Sequence, residues 1–118
     1  MKPVILVIDD EEAIRLFLQA TLEDEGYEVI AVGTGREALD LIEHTVPDLV
    51  LLDLMLPDMS GIQVLGGLKE SLPHLCVVMI TAYRETDTAV QAMKLDAFDY
   101  INKPIQLDRL FKVVTKAL

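Results

Sequence analysis

Val4-Ile5-Leu6-Val7-Ile8, ending on Asp9-Asp10, is a short β-branched apolar run that stops on acid. Such a run reads as a strand buried on both faces. The pattern returns in Leu49-Val50-Leu51-Leu52, which ends on Asp53, and in Val77-Val78-Met79-Ile80, which ends on Thr81. It returns again in Tyr100-Ile101-Asn102, which ends on Lys103-Pro104. If these strands lie parallel, their C-terminal ends converge. Three carboxylates, one hydroxyl and one amine then share the edge where open α/β sheets bind ligands.

A further run, Glu28-Val29-Ile30-Ala31-Val32, brings the strand ends to one every 21–28 residues, about one βα unit each. Helices fit between them. Ile14, Phe17, Leu18, Thr21 and Leu22 follow helical spacing after the acidic Glu11-Glu12, and Gly26 offers a stop. Thr34-Gly35-Arg36-Glu37 and Ser60-Gly61-Ile62-Gln63 are capping-box patterns that open a second and a third helix. The third has Val64, Leu65, Leu68 and Leu72 as its apolar side. A fourth, Ala-rich and weakly anchored, is expected from about Glu85 to Lys94, and a fifth from near Leu107. The expectation is a (βα)5 domain with a parallel sheet, helices on both faces and right-handed crossovers. The polar-flanked run at 28–32 belongs at an edge. The first and third strands then lie side by side, at the point where the winding reverses.

Composition narrows the function. The chain has 118 residues, which suits one domain, and its 52% hydrophobic content suits a sizeable core. A net charge of -10 disfavours direct nucleic-acid binding by this domain. No apolar run reaches the length of a membrane span, and no signal-peptide pattern precedes the first strand, so a cytoplasmic location is expected. The single Cys76 excludes an internal disulfide and reads as a buried thiol.

Three carboxylates at one edge repel unless a cation intervenes. Lys103 supplies one positive group, and Mg2+ (or Mn2+) would supply more. Asp10 and Asp53 suit direct ligation, Asp9 ligation through water, and the main-chain carbonyl of Met55 would complete the protein set. Asp53 is then placed to attack phosphorus, with Lys103 neutralising the transferring group and Thr81 donating to it. Taken singly, each Asp reads as a cap or turn former, Thr81 as a strand end and Lys103 as a solvated lysine. Their coincidence at strand ends favours one site.

These residues resemble those of the receiver domains of two-component response regulators, the CheY-like family. The matching segments are Val7-Ile8-Asp9-Asp10-Glu11, Asp53 through Gly61, Thr81-Ala82 and Asp99 through Pro104. The resemblance spans the chain and implies a flavodoxin-like three-layer sandwich of sheet order 2-1-3-4-5. It implies phosphoryl transfer from a sensor histidine kinase to Asp53, with Mg2+ held by the acids. It also implies phosphoryl binding at Thr81, Ala82 and Lys103, a switch at Tyr100, and a cis peptide at Lys103-Pro104. The face made by the fourth helix, fifth strand and fifth helix would then change and bind a partner, including a second copy of the chain. Thr81-Ala82-Tyr83 and the segment from Thr88 to Lys94 are similar to receivers of nitrogen-regulation-type transcription activators. Residues 1–118 read as one receiver domain, either complete or the N-terminal part of a longer regulator.

Two departures stand out. Asp96-Ala97 stands where the family usually has Gly-Ala, at an expected left-handed position. Met55 and Tyr83, each two residues past a key strand end, are large enough to shield a phosphoryl group from water. A pseudo-receiver that never takes phosphate is opposed by the complete acid, Thr and Lys set. An Asp-nucleophile phosphatase lacks a second Asp at position 55, and a flavin carrier lacks a phosphate loop after the first strand.

Overall fold

The computed structural model describes residues 2–82 and 91–118. Strands β1 (Val4–Ile8), β2 (Glu28–Val32), β3 (Leu49–Asp53), β4 (Val77–Thr81) and β5 (Asp99–Asn102) alternate with helices α1 (Glu12–Asp24), α2 (Gly35–Leu41) and α3 (Gly61–Ser71). The helical residues 91–94 (α4) precede β5, and α5 (Leu107–Ala117) follows it. The five strands pair in parallel in the order β2-β1-β3-β4-β5. The polar-flanked run is an edge strand, as its sequence indicates.

The continuous apolar runs follow from period-two alternation between two covered faces. Leu6, Ile8, Val50, Leu52, Val77 and Met79 pack with Ala38 of α2, Val64, Leu65 and Leu68 of α3, and Ala92 of α4. Ile5, Val7, Leu49, Leu51, Val78 and Ile80 pack with Leu18 and Leu22 of α1 and Leu110, Val113 and Val114 of α5. Fully burying each such side chain contributes roughly 1.5–3 kcal/mol before entropy is charged against it.

Three sequence expectations need correction. Phe17 is exposed and does not line the core beside Leu18 and Leu22, because α1 meets the sheet through a narrower stripe than its apolar residues suggest. Leu72 packs against the core as its spacing indicates, but it lies one residue past α3, as its C-cap. Cys76 is half-buried at the edge of the core, just before β4, where its carbonyl accepts from Val50 N at 2.9 Å. The part of the expected fourth helix before residue 91 lies outside the described residues.

Two helix ends share one hydrogen-bond pattern. After α1, Gly26 N donates to Glu23 O at 3.0 Å and Tyr27 N to Leu22 O at 3.2 Å. After α4, Asp96 N donates to Met93 O at 3.0 Å and Ala97 N to Ala92 O at 3.0 Å. This closure puts one residue in the left-handed region. Gly26 has φ 94° and Asp96 has φ 70°. Among the described residues, the exposed side chain of Asp96 gains one long ion pair, to Lys69 at 3.9 Å, which returns little. Asp96→Gly is therefore expected to stabilise the domain by about 1 kcal/mol, the left-handed penalty for an L residue. A thermal melt reads this directly, and an unchanged or lower Tm would contradict it.

Candidate functional site

The C-terminal ends of β1, β3, β4 and β5 deliver Asp9, Asp53, Thr81 and Lys103 to one edge of the sheet. Asp9 and Asp53 are buried although both are carboxylates, and Thr81 is fully buried. Their backbone is fixed by the ladder and its extensions. Asp9 N donates to Val32 O at 3.1 Å, and Lys103 N donates to Thr81 O at 2.8 Å. The Lys103-Pro104 peptide is cis, as the resemblance implies.

Lys103 organises the acids. Its Nζ lies 3.0 Å from Asp9 Oδ2, 3.2 Å from Asp53 Oδ2 and 3.2 Å from Glu11 Oε1. An ammonium has three donors, and three carboxylates meet it here. Burial alone would lower the lysine's pKa, but Asp9 and Asp53 together raise it above its ordinary value. Lys103 therefore stays charged across the physiological range. The other carboxylate oxygens of Asp9 and Asp53 are also partnered. Asp9 Oδ1 accepts from Glu11 N at 2.9 Å, and Asp53 Oδ1 accepts from Met55 N at 3.2 Å. Asp9 O accepts from Arg15 Nη1 at 2.7 Å.

One cation does not balance this much acid. Burial, then the charge of Asp9, push the Asp53 carboxyl up, against the pull of Met55 N–H and Lys103. Asp9, Asp10, Glu11 and Asp53 each present a carboxylate oxygen, all within 4.8 Å of one another. An all-oxygen anionic set suits Mg2+ or Mn2+ better than softer ions. The residues present fit such a cation.

The remaining sequence candidates sort by position. Asp10 is exposed at the mouth of the cluster. Ala82 is exposed just beyond Thr81, and Met55 is 56% exposed beside the acids. Tyr100 on β5 is half-buried, and burial pushes its hydroxyl pKa up. Tyr83 lies outside the described residues. Asp96 precedes β5 and so sits toward the opposite end of the sheet, away from the cluster. Sequence reading gave Glu11 no role in the site, taking it as a first-turn acid of α1 and as the end of the matching segment Val7-Ile8-Asp9-Asp10-Glu11, although its place in Asp9-Asp10-Glu11-Glu12 was a usable signal. Nor did it find Arg15, whose contact depends on how α1 folds back on β1.

The fold and this edge define an α/β domain of flavodoxin-like topology with an acidic site at its switch point. Residues 5–115 match the family described as response regulator receiver domain. The chain belongs to that family, the phosphorylation-dependent switch modules of two-component signalling. It is 39% identical over 112 residues to the regulatory protein LuxO of Vibrio vulnificus, covering 95% of this chain and 25% of that protein. It is 41% identical over 114 residues to the transcriptional regulatory protein ZraR of Escherichia coli, covering 97% of this chain and 26% of that protein. The chain thus spans about a quarter of the length of these curated relatives. The signal receiver domain of a LuxO repressor homologue from Vibrio parahaemolyticus superposes with a TM-score of 0.93 at 35% identity, covering 99% of this chain and 90% of that one. Among the described residues, no helix is long and apolar enough to cross a membrane.

The raised Asp53 pKa has a sign that can be tested. The folded state holds the Asp53 proton more tightly than the unfolded chain does. Ionised Asp53 therefore costs stability above its folded pKa, and that cost is gone below the ordinary aspartate value. Asp53→Asn should raise Tm by a few degrees at neutral pH without added divalent metal, and the gap should close as the pH falls toward about 4. A neutral-pH Tm below that of the parent chain would refute the electrostatic account.

Proposed function

We propose that Asp53 is the phosphoacceptor and that Asp9, Asp10, Asp53 and the main-chain carbonyl of Met55 hold Mg2+ or Mn2+ beside it. The observation that carries this reading is the burial of Asp53 and Asp9 against one lysine, at 3.2 Å and 3.0 Å, on the ligand-binding edge of the sheet. A bound divalent cation would supply charge neutralisation for the transferring phosphoryl oxygens. The protein's own part is positioning. Met55 N–H orients the Asp53 carboxylate, and Lys103 stands by to trade a carboxylate partner for a phosphoryl oxygen. One Asp53 oxygen forms a bond to phosphorus while the bond to the donor breaks, and the electron pair leaves with the donor. The donor is the phosphohistidine of a sensor kinase, and acetyl phosphate serves as its chemical substitute.

Thr81 and Tyr100, on adjacent strands β4 and β5, are proposed to carry the phosphoryl signal to the α4-β5-α5 face. On that face Arg109 Nη2 joins α5 to Asp99 Oδ1 at 3.0 Å and to Tyr100 O at 3.1 Å. The output is a partner surface or a homodimer, and transcription control fits the relatives. In this reading the chain is a switch and not an enzyme acting on an external substrate. Residues 1–118 are one receiver unit, read as cytoplasmic.

Acetyl phosphate should add one phosphoryl mass to the chain in the presence of Mg2+. It should add none after chelation and none in Asp53→Asn. Mass spectrometry of the intact protein checks this, and metal-independent labelling or labelling of the Asn variant would overturn the assignment. Met55, exposed two residues beyond Asp53, is proposed to shield the acyl phosphate from water. Its replacement by Asn should speed dephosphorylation severalfold, as followed by the decay of the phosphorylated mass. An unchanged decay would remove Met55 from that role.

A further inference from the structure

The carboxylate of Asp58 straddles the start of α2. Oδ1 accepts from Gly35 N at 2.9 Å and Oδ2 from Arg36 N at 2.9 Å. The two N–H groups hold its carboxyl below the usual carboxylate range. Asp58 is exposed, so burial does not force this geometry. The next residue, Met59, closes the joint. A Cβ on Gly35 would lie 2.7 Å from Met59 Cγ and 2.6 Å from Val64 Cγ2. With any larger residue at 35, Val64 and Met59 would have to shift for the first N–H groups of α2 to come down onto the β3–α3 loop.

The other side of the same turn touches the other acidic loop. A Cβ on Gly33 would lie 3.0 Å from Arg15 Nη1, the atom that donates to Asp9 O. Residues 33–36 therefore bracket the two acid-bearing loops, meeting Arg15 beside Asp9 and Asp58 five residues beyond Asp53. The register between β1 and β3 runs only to Ile8 and Leu52. Past those residues, Lys103 and this bracket connect the two loops. Lys103 is the connection that must loosen when a phosphoryl group arrives.

We propose that Asp58 is a positioning residue for the cation site, pinning the β3–α3 loop to α2 and thereby setting the place of Met55. It touches neither metal nor phosphoryl group. It acts through the main chain of Met55, whose N–H orients Asp53 and whose carbonyl completes the proposed oxygen set. This rests on the cation reading given above. A group that orients a metal ligand commonly alters metal affinity on removal by on the order of tenfold or more.

The test is a Mg2+ titration of the 118-residue chain and its variants, followed by amide NMR shifts at a temperature where each is folded. Asp58→Ala should weaken Mg2+ binding on the order of tenfold, and Asp58→Asn, which keeps one acceptor, should fall between it and the parent. Thr34→Ala is the control. Thr34 Oγ1 accepts from Glu37 N at 3.1 Å, so its loss weakens α2 without unpinning the loop. That variant should lose stability and keep its Mg2+ affinity. If Asp58→Ala does not fold, Asp58→Asn and Asp58→Ser decide the matter. Parent-like affinity in the Asp58 variants, or an equal loss in Thr34→Ala, overturns the positioning role. A parent chain that binds no Mg2+ would instead overturn the cation reading on which it rests.

Discussion

A single ammonium group holds the business end of this domain together. Lys103 meets Asp9, Asp53 and Glu11 within 3.2 Å. Asp9 and Asp53 are buried where an unpaired carboxylate would be strongly disfavoured. Removing Lys103 would leave both buried carboxylates without their cation, a loss that commonly costs about 3–5 kcal/mol and is a large share of the stability of a domain this size. The pairing remains incomplete, since Asp53 is still pushed up by burial and by Asp9. The sheet thus ends in a site with more negative charge than its own residues neutralise. That shortfall gives a cation and a phosphoryl group a reason to bind together.

Much of the fold could be read from the chain because two periodicities speak plainly. Uninterrupted β-branched runs such as Leu49 through Leu52 demand cover on both faces, and only a parallel sheet between helices provides it. The site residues were readable for the same reason, since each follows such a run. What escaped reading was whatever depends on how elements meet. Phe17 has the spacing of a core residue, but α1 buries Leu18 and Leu22 and leaves it exposed, a choice made only when the helix docks. Asp58 looks like an ordinary turn acid, and only the arrival of α2, more than twenty residues upstream in sequence, gives it two partners. Asp96 lies between these cases. Its unusual backbone was inferable from the family pattern and is repeated geometrically at Gly26.

The helices divide the labour unevenly. α3 begins with a complete capping box, in which Ser60 Oγ accepts from Gln63 N at 3.1 Å while Gln63 Oε1 accepts from Ser60 N at 3.0 Å. α2 has one such bond from its own Thr34 and borrows the rest from Asp58. A helix of seven residues has little stability of its own, so its start depends on tertiary contacts. Its place in the fold is therefore tied to the loop that follows the phosphoacceptor strand.

Gly61 shows how little clearance that strand has. A Cβ there would lie 2.6 Å from Asp53 O and 2.6 Å from Leu54 Cα, and Gly61 N already donates to Leu54 O at 2.8 Å. The peptide carrying Asp53 is backed directly by the first residue of α3, much as a workpiece is backed by an anvil. A group added to the Asp53 side chain cannot be absorbed by recoil of its own backbone. The load is passed forward, to the side chains and loops on the open side of the cleft.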